Sequence, residues 1–122
     1  MIVIEKENIT ELDNLSMHDS KVLEMICNYN EHKVIIPVEK DGISNIKRTA
    51  ELIFEDVVYF DFSCFEPWGE GIYIYEIKIT SKNEKLFDSC NSISGDKHFN
   101  IEILINSGDK FNILCSKFLY DS

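Results

Sequence analysis

Apolar and polar positions alternate with a period of two along most of this chain, the spacing of strands rather than helices. From Lys21 to Tyr29, Leu23, Met25, Cys27 and Tyr29 fall on one face, with Glu24 and Asn28 on the other. From Lys33 to Glu39, Val34, Ile36 and Val38 do the same. The polar turn Asn30-Glu31-His32 joins the two into an expected hairpin. Pro37 cannot donate to a ladder, which predicts an edge strand or a bulge. Next, Leu52, Phe54, Val58, Phe60, Phe62 and Cys64 share one parity, broken by Asp56. Either the chain bulges near Glu55-Asp56 or two strands meet there at a bend; a buried unpaired carboxylate is costly, so the bulge is the expectation.

Two further alternating runs close the pattern. Ile72 to Thr80 puts Tyr73, Tyr75, Ile77 and Ile79 on one face, and Phe99 to Ile105 does so with Phe99, Ile101, Ile103 and Ile105. Asn106-Ser107-Gly108-Asp109 predicts a tight hairpin turn with Gly108 at positive φ, followed by a last strand over Lys110 to Tyr120. Helical spacing occurs only at Asn8 to Ser16, where Ile9, Leu12 and Leu15 recur every three residues and Thr10 with Asp13 approximates a capping box. Met1 to Ile4 reads as a short edge strand or a frayed end, and Lys40 to Lys47 as a loop around Asp41-Gly42. Ser81 to His98 has no strand pattern beyond a possible helical turn at Glu84 to Phe87. An 18-residue connection of this kind is often functional or mobile. Together these elements predict one mainly β domain over 1–122, with only a minor α contribution. It has six or seven antiparallel strands in a β-sandwich or strongly bent sheet, plus one short N-terminal helix plugging an open end.

Composition narrows the partners. The net charge of −10 on 122 residues disfavours nucleic acid and anionic membranes and permits a basic protein partner. It is equally the charge of a protein acidic for solubility alone. No signal-like or membrane-spanning run is visible, which predicts a cytoplasmic protein. The four cysteines are dispersed. Cys27, Cys64 and Cys115 lie in apolar runs and are expected to be buried reduced thiols, with Cys90 in an exposed loop.

Charge and aromaticity concentrate in Thr49 to Ile77. The stretch carries seven carboxylates, eight aromatics and no Lys, Arg or His. Most of it is accounted for by strands, but the loop around Pro67-Trp68-Gly69-Glu70-Gly71 is not, since a loop does not need a Trp between two glutamates. Glu66, Trp68, Glu70 and Tyr73 are therefore the candidate partner-contact residues, with Asp56 and Asp61 second. Aromatic anchors ringed by acids suit capture of a basic protein surface. The competing expectation is that Trp68 folds back to close the core and the acids are solvated rim.

Catalytic chemistry finds little support. His18, His32 and His98 lie apart with no paired-ligand spacing, so no metal site is expected. His18-Asp19-Ser20 reads as a turn. Gly69 and Gly71 flank Glu70, whose charge would repel a phosphate. Glu55 and Asp56 are adjacent and point to opposite faces of a strand, a poor arrangement for paired acid–base work.

The segment Leu15-Ser16-Met17-His18-Asp19-Ser20-Lys21-Val22 resembles the opening of several small bacterial β-rich families. Leu52-Ile53-Phe54-Glu55-Asp56-Val57, Pro67-Trp68-Gly69 and Asn106-Ser107-Gly108-Asp109 resemble their mid-chain features and last turn. Some members resemble immunity proteins encoded beside polymorphic or contact-dependent toxins. The resemblance implies a cytosolic immunity or inhibitor protein that binds a basic toxin domain, plausibly a nuclease, without enzymatic activity or cofactor. It carries over no catalytic residue. Other classes remain: a small-molecule-binding domain or minor enzyme with a cleft near His18, or an oligomerisation domain.

Overall fold

The computed structural model describes residues 1–41, 47–88 and 93–122. The Asp41-Gly42 turn and Cys90 fall partly or wholly outside them. Within the described residues ten strands form two antiparallel sheets. One sheet has the order β1 (Ile2–Ile4), β10 (Lys117–Asp121), β5 (Lys47–Glu55), β4 (Lys33–Asp41), with β2 (Lys21–Val22) and β3 (Ile26–Asn28) sharing the outer edge of β4. The other has the order β6 (Tyr59–Phe62), β9 (Lys110–Cys115), β8 (Phe99–Ile105), β7 (Ile74–Thr80).

The two inner faces meet in one core. Val34, Ile36, Val38, Leu52, Phe54 and Phe118 come from the first sheet, and Ile74, Ile101, Ile103 and Ile113 from the second. Phe54 and Phe118 pair across β5 and β10 with ring centroids 4.9 Å apart. The mainly β, antiparallel sandwich expected from the alternation is thus present, with ten strands rather than six or seven. The surplus comes from runs that read as one strand and are cut in two.

Three of those cuts organise the molecule. Lys21 to Tyr29 is two short pieces, β2 and β3, lying end to end along β4. Leu23, Cys27 and Tyr29 are exposed, Tyr29 at 84%, so of the expected core face of this run Met25 alone packs against the core. The gap between the pieces sits beside Pro37. Its carbonyl accepts from Leu23 N at 3.0 Å, so its ring nitrogen faces the same edge, where no donor is required.

The second cut is at Glu55-Asp56, where the bend replaces the bulge. Asp56 adopts φ 54°, ending β5 in one sheet and sending β6 into the other. The third is at Ser116, where β9 ends in the second sheet and β10 begins in the first. The two crossings lie side by side: Val58 N donates to Leu114 O at 2.9 Å and Ser116 N to Glu55 O at 3.3 Å.

The N-terminal helix is a 3-10 helix over Lys6–Asn14, shifted earlier than the spacing suggested. Its start is closed by Glu5 and Asn8, whose side chain accepts from Glu5 N at 2.7 Å, rather than by Thr10 and Asp13. Three residues per turn aligns Ile9 with Leu12, which is fully buried, and Leu15 follows as the extended C-cap.

The first part of the connection after β7, Ser81 to Leu86, lies over the outer face of the second sheet. Lys82, just past β7, reaches Asp61 on β6 at 3.5 Å, spanning the width of that sheet. Beneath it runs a polar ladder: Asn112 donates to Asp61 at 3.1 Å, and Asn100 donates to Asn112 at 3.2 Å and to Thr80 at 2.8 Å. Asn100, Asn112 and Leu114 are outward by register yet buried, and Asn83 from this segment donates to Asn100 at 3.4 Å.

Candidate partner-binding surface

The acidic loop is built by the β8–β9 turn. Gly108 takes φ 90°, and a Cβ there would lie 2.7 Å from the Pro67 ring and 2.8 Å from the Trp68 indole. Only glycine gives the turn and lets both rings settle on it. Asp109 follows, and its carboxylate gathers the loop. Oδ1 accepts from Ser63 Oγ at 2.8 Å and Phe65 N at 3.0 Å; Oδ2 accepts from Glu66 N at 3.0 Å and Ser107 Oγ at 3.0 Å. Desolvation works to raise the Asp109 pKa, but these four donors outweigh it and hold the carboxyl below the usual range.

The rest of the loop is pinned in the same way. Trp68 N donates to Ser107 O at 2.8 Å, and Asn106 Oδ1 accepts from Tyr73 N at 3.2 Å. A Cβ on Gly71 would stand 2.0 Å from that Asn106 oxygen, so the chain passes this close only as glycine. Glu66, at φ 52°, and Gly69, at φ 103°, make the reversals between. Left-handed backbone at a glutamate is uncommon and persists where surrounding bonds enforce it.

A rigid backbone here carries exposed apolar side chains. Trp68 is 66% exposed and Phe65 74%; Ile72, Tyr73 and Tyr75 join them. Tyr75 owes its position to a β-bulge. Ile74 pairs Ile105 and Glu76 pairs Leu104, leaving Tyr75 as the extra residue. The bulge puts Ile74 in the core and turns Tyr75 out against His18, with ring centroids 5.8 Å apart. Strict alternation had grouped Tyr73, Tyr75, Ile77 and Ile79 on one face, which the bulge breaks.

Glu66, Trp68, Glu70 and Tyr73 therefore share one platform. Trp68 rests on the Gly108 turn while most of its surface stays open, so it does not fold back to close the core. Asp61 and Asp56 lie elsewhere. Asp61 is tied into the polar ladder on the outer face of the second sheet. Asp56 sits at the sheet-crossing corner, at the far end of β9 from the platform. There it accepts from Ser116 Oγ at 2.7 Å and lies 3.2 Å from Lys97 Nζ and 3.0 Å from His98 Nε2. Partial burial works to raise its pKa, but Ser116, Lys97 and His98 together hold the carboxyl below the usual range. His98 is fully buried, and its Nδ1 accepts from Ser94 N at 3.1 Å, so its hydrogen is assigned to Nε2, facing Asp56.

His18 is on the surface, 3.1 Å from Asp19. Among the described residues no cluster of His, Cys, Asp and Glu has the arrangement of a metal site. No described helix is long and apolar enough to cross a membrane. Cys27 and Cys64 are exposed, contrary to their apolar sequence context; Cys115 is buried as expected. Burial, helped by the negative charge of Asp56, pushes the Cys115 thiol up to about 12. The residues sequence reasoning missed are Asn106, Ser107 and Asp109 as builders of the platform; the turn signal was visible, but not what it holds. No protein-family model matches this chain, and no curated protein matches it significantly.

Proposed function

We propose that this chain is an inhibitor of the immunity-protein type, acting in the cytoplasm. It binds a basic toxin domain, of which a nuclease is one form, through Glu66, Trp68, Glu70 and Tyr73, with no chemistry or cofactor of its own. The observation that supports this is an exposed Trp68 and Phe65 on a loop whose backbone is fixed from below by the Asp109 carboxylate. Large apolar anchors presented without freedom to collapse suit a protein interface, because less ordering entropy is lost on binding. Glu66 and Glu70, without an ion-pair partner among the described residues, would steer a cationic partner and raise the association rate. Asp56 and Asp61 are engaged within the chain and leave the contact set.

The test is growth rescue against a basic toxin domain co-expressed with this chain. Co-expression of the wild type should restore growth, and Trp68→Ala should lower affinity for the purified domain by roughly 30-fold or more, the scale of an interface hot spot. Glu66→Lys with Glu70→Lys should slow association and remove most of its salt dependence. Unchanged rescue and affinity in the combined variant would overturn the reading.

One observation favours a second reading, small-molecule binding. An open groove of about 500 Å³ lies between Tyr29, His32, Val57 and Tyr59, within the size range of ligand sites. It lies away from His18, where the sequence had placed a cleft.

A further inference from the structure

Beside the platform lies a second, smaller groove of about 170 Å³. It lies where β2 meets the β6–β7 connection. Val22, Met25, Cys64, Ile72 and Phe111 give it apolar walls, and Glu66 lines it as well. Both walls are fixed: Val22 N donates to Ile72 O at 2.8 Å, and Glu66 N is held by Asp109. We propose that this groove receives one basic side chain, Lys or Arg, of the bound protein. The proposal rests on the inhibitor reading above and states what the surface grips.

Charge selects the occupant. Two carboxylates line the groove, Asp109 and Glu66, and no Lys, Arg or His does. The oxygens of Asp109 are occupied by four donors from within the chain. The Glu66 carboxylate has no such partner among the described residues. An apolar side chain entering here would strip water from Glu66 and return nothing. An acidic one would be repelled. A Lys or Arg lays its methylene stem along Val22, Met25 and Ile72 and brings its cation to Glu66, satisfying both the walls and the charge. This also separates two jobs on one surface: Trp68 and Phe65 supply area, and the groove supplies a selective contact.

The probe is Nα-acetyl-lysine N-methylamide, with the arginine analogue in parallel and the norleucine analogue as an uncharged control. Each is titrated into isotope-labelled protein and followed by amide NMR. The expected result is millimolar binding of the cationic probes with shifts at Val22, Glu66, Gly71 and Ile72, and weak or no response to norleucine. Glu66→Gln should weaken the cationic probes about threefold, the scale of a partly exposed ion pair. Cys64→Phe, at an exposed position on the groove wall, should abolish the shifts while leaving the spectrum folded. Equal binding of the norleucine analogue, shifts confined to the Trp68 surface, or no shifts at all would each overturn the proposal. The inhibitor reading is judged separately. If Cys64→Phe and Glu66→Gln keep full affinity for the basic domain while Trp68→Ala loses it, the groove fails and the platform stands. If Trp68→Ala also keeps it, both fail.

Discussion

At one end of β9, Asp56 collects Ser116, Lys97 and His98; at the other, Asp109 collects Ser63, Phe65, Glu66 and Ser107. The two carboxylates are separated by a six-residue strand, about 17 Å of extended chain. Each fastens together connections that are distant in sequence. At the corner the fastened parts are the sheet crossings, and the donors are side chains packed against the fold. At the platform two of the four donors are backbone amides, Phe65 and Glu66, so the loop backbone is fixed while its side chains stay free to face outward. The same kind of clamp can close a fold or present a surface, depending on whether it takes up side chains alone or backbone as well.

That contrast can be broken most strongly at Gly108. Gly108→Ala combines a left-handed φ with contact against Pro67 and Trp68, and should cost about 2–3 kcal/mol in denaturant unfolding. It should also shift Trp68 fluorescence and weaken partner binding, because both rings must move. At the corner, Asp56→Ala should cost about 1–2 kcal/mol, since Ser116 loses its acceptor and Lys97 and His98 lose the carboxylate beside them. Trp68 fluorescence and partner affinity should not change. If Asp56→Ala alters binding as much as Gly108→Ala does, the two ends are coupled and the division of labour is wrong.

Acid titration sharpens the comparison further. Both carboxyls are lowered in the folded chain, so each contributes stability above the unfolded carboxylate pKa of about 4. That stability is lost as the pH falls through their folded values. Unfolding measured from pH 5 down to pH 2 should show this decline, flattened in part by Asp56→Asn and in part by Asp109→Asn. The smallest effect concerns thiols. In a Cys90→Ser chain at pH 8, alkylation should label Cys27 and Cys64, on the surface, and spare Cys115 at the corner until the protein unfolds. Mass spectrometry of the labelled peptides checks this without any change in stability.

The alternating pattern sufficed for much of the fold. Val34, Ile36, Val38, Phe99, Ile101, Ile103 and Ile105 are core residues as their parity requires, and Asn106 to Asp109 turns where its composition says. Parity failed where the chain changes partners. Leu23, Cys27 and Tyr29 alternate like a core strand but lie on a broken edge, while Asn100, Asn112 and Leu114 face outward and are buried. Nothing local distinguishes these cases, because a period of two defines two faces and does not say which is covered.

The candidate site divides along the same line. Glu66, Trp68, Glu70 and Tyr73 stood out by composition, since seven acids without a basic residue and a loop Trp are visible in the residues themselves. That Asp109 would fix this loop, that a bulge would turn Tyr75 out, and that Asp56 would face inward to His98 depended on partners 43, 28 and 42 positions away or more. Local sequence determined which residues could form strands and turns. Only the tertiary structure decided which carboxylates are consumed in holding the sheets together and which remain free to meet a partner, because hydrogen-bond partners are assigned by packing between distant segments.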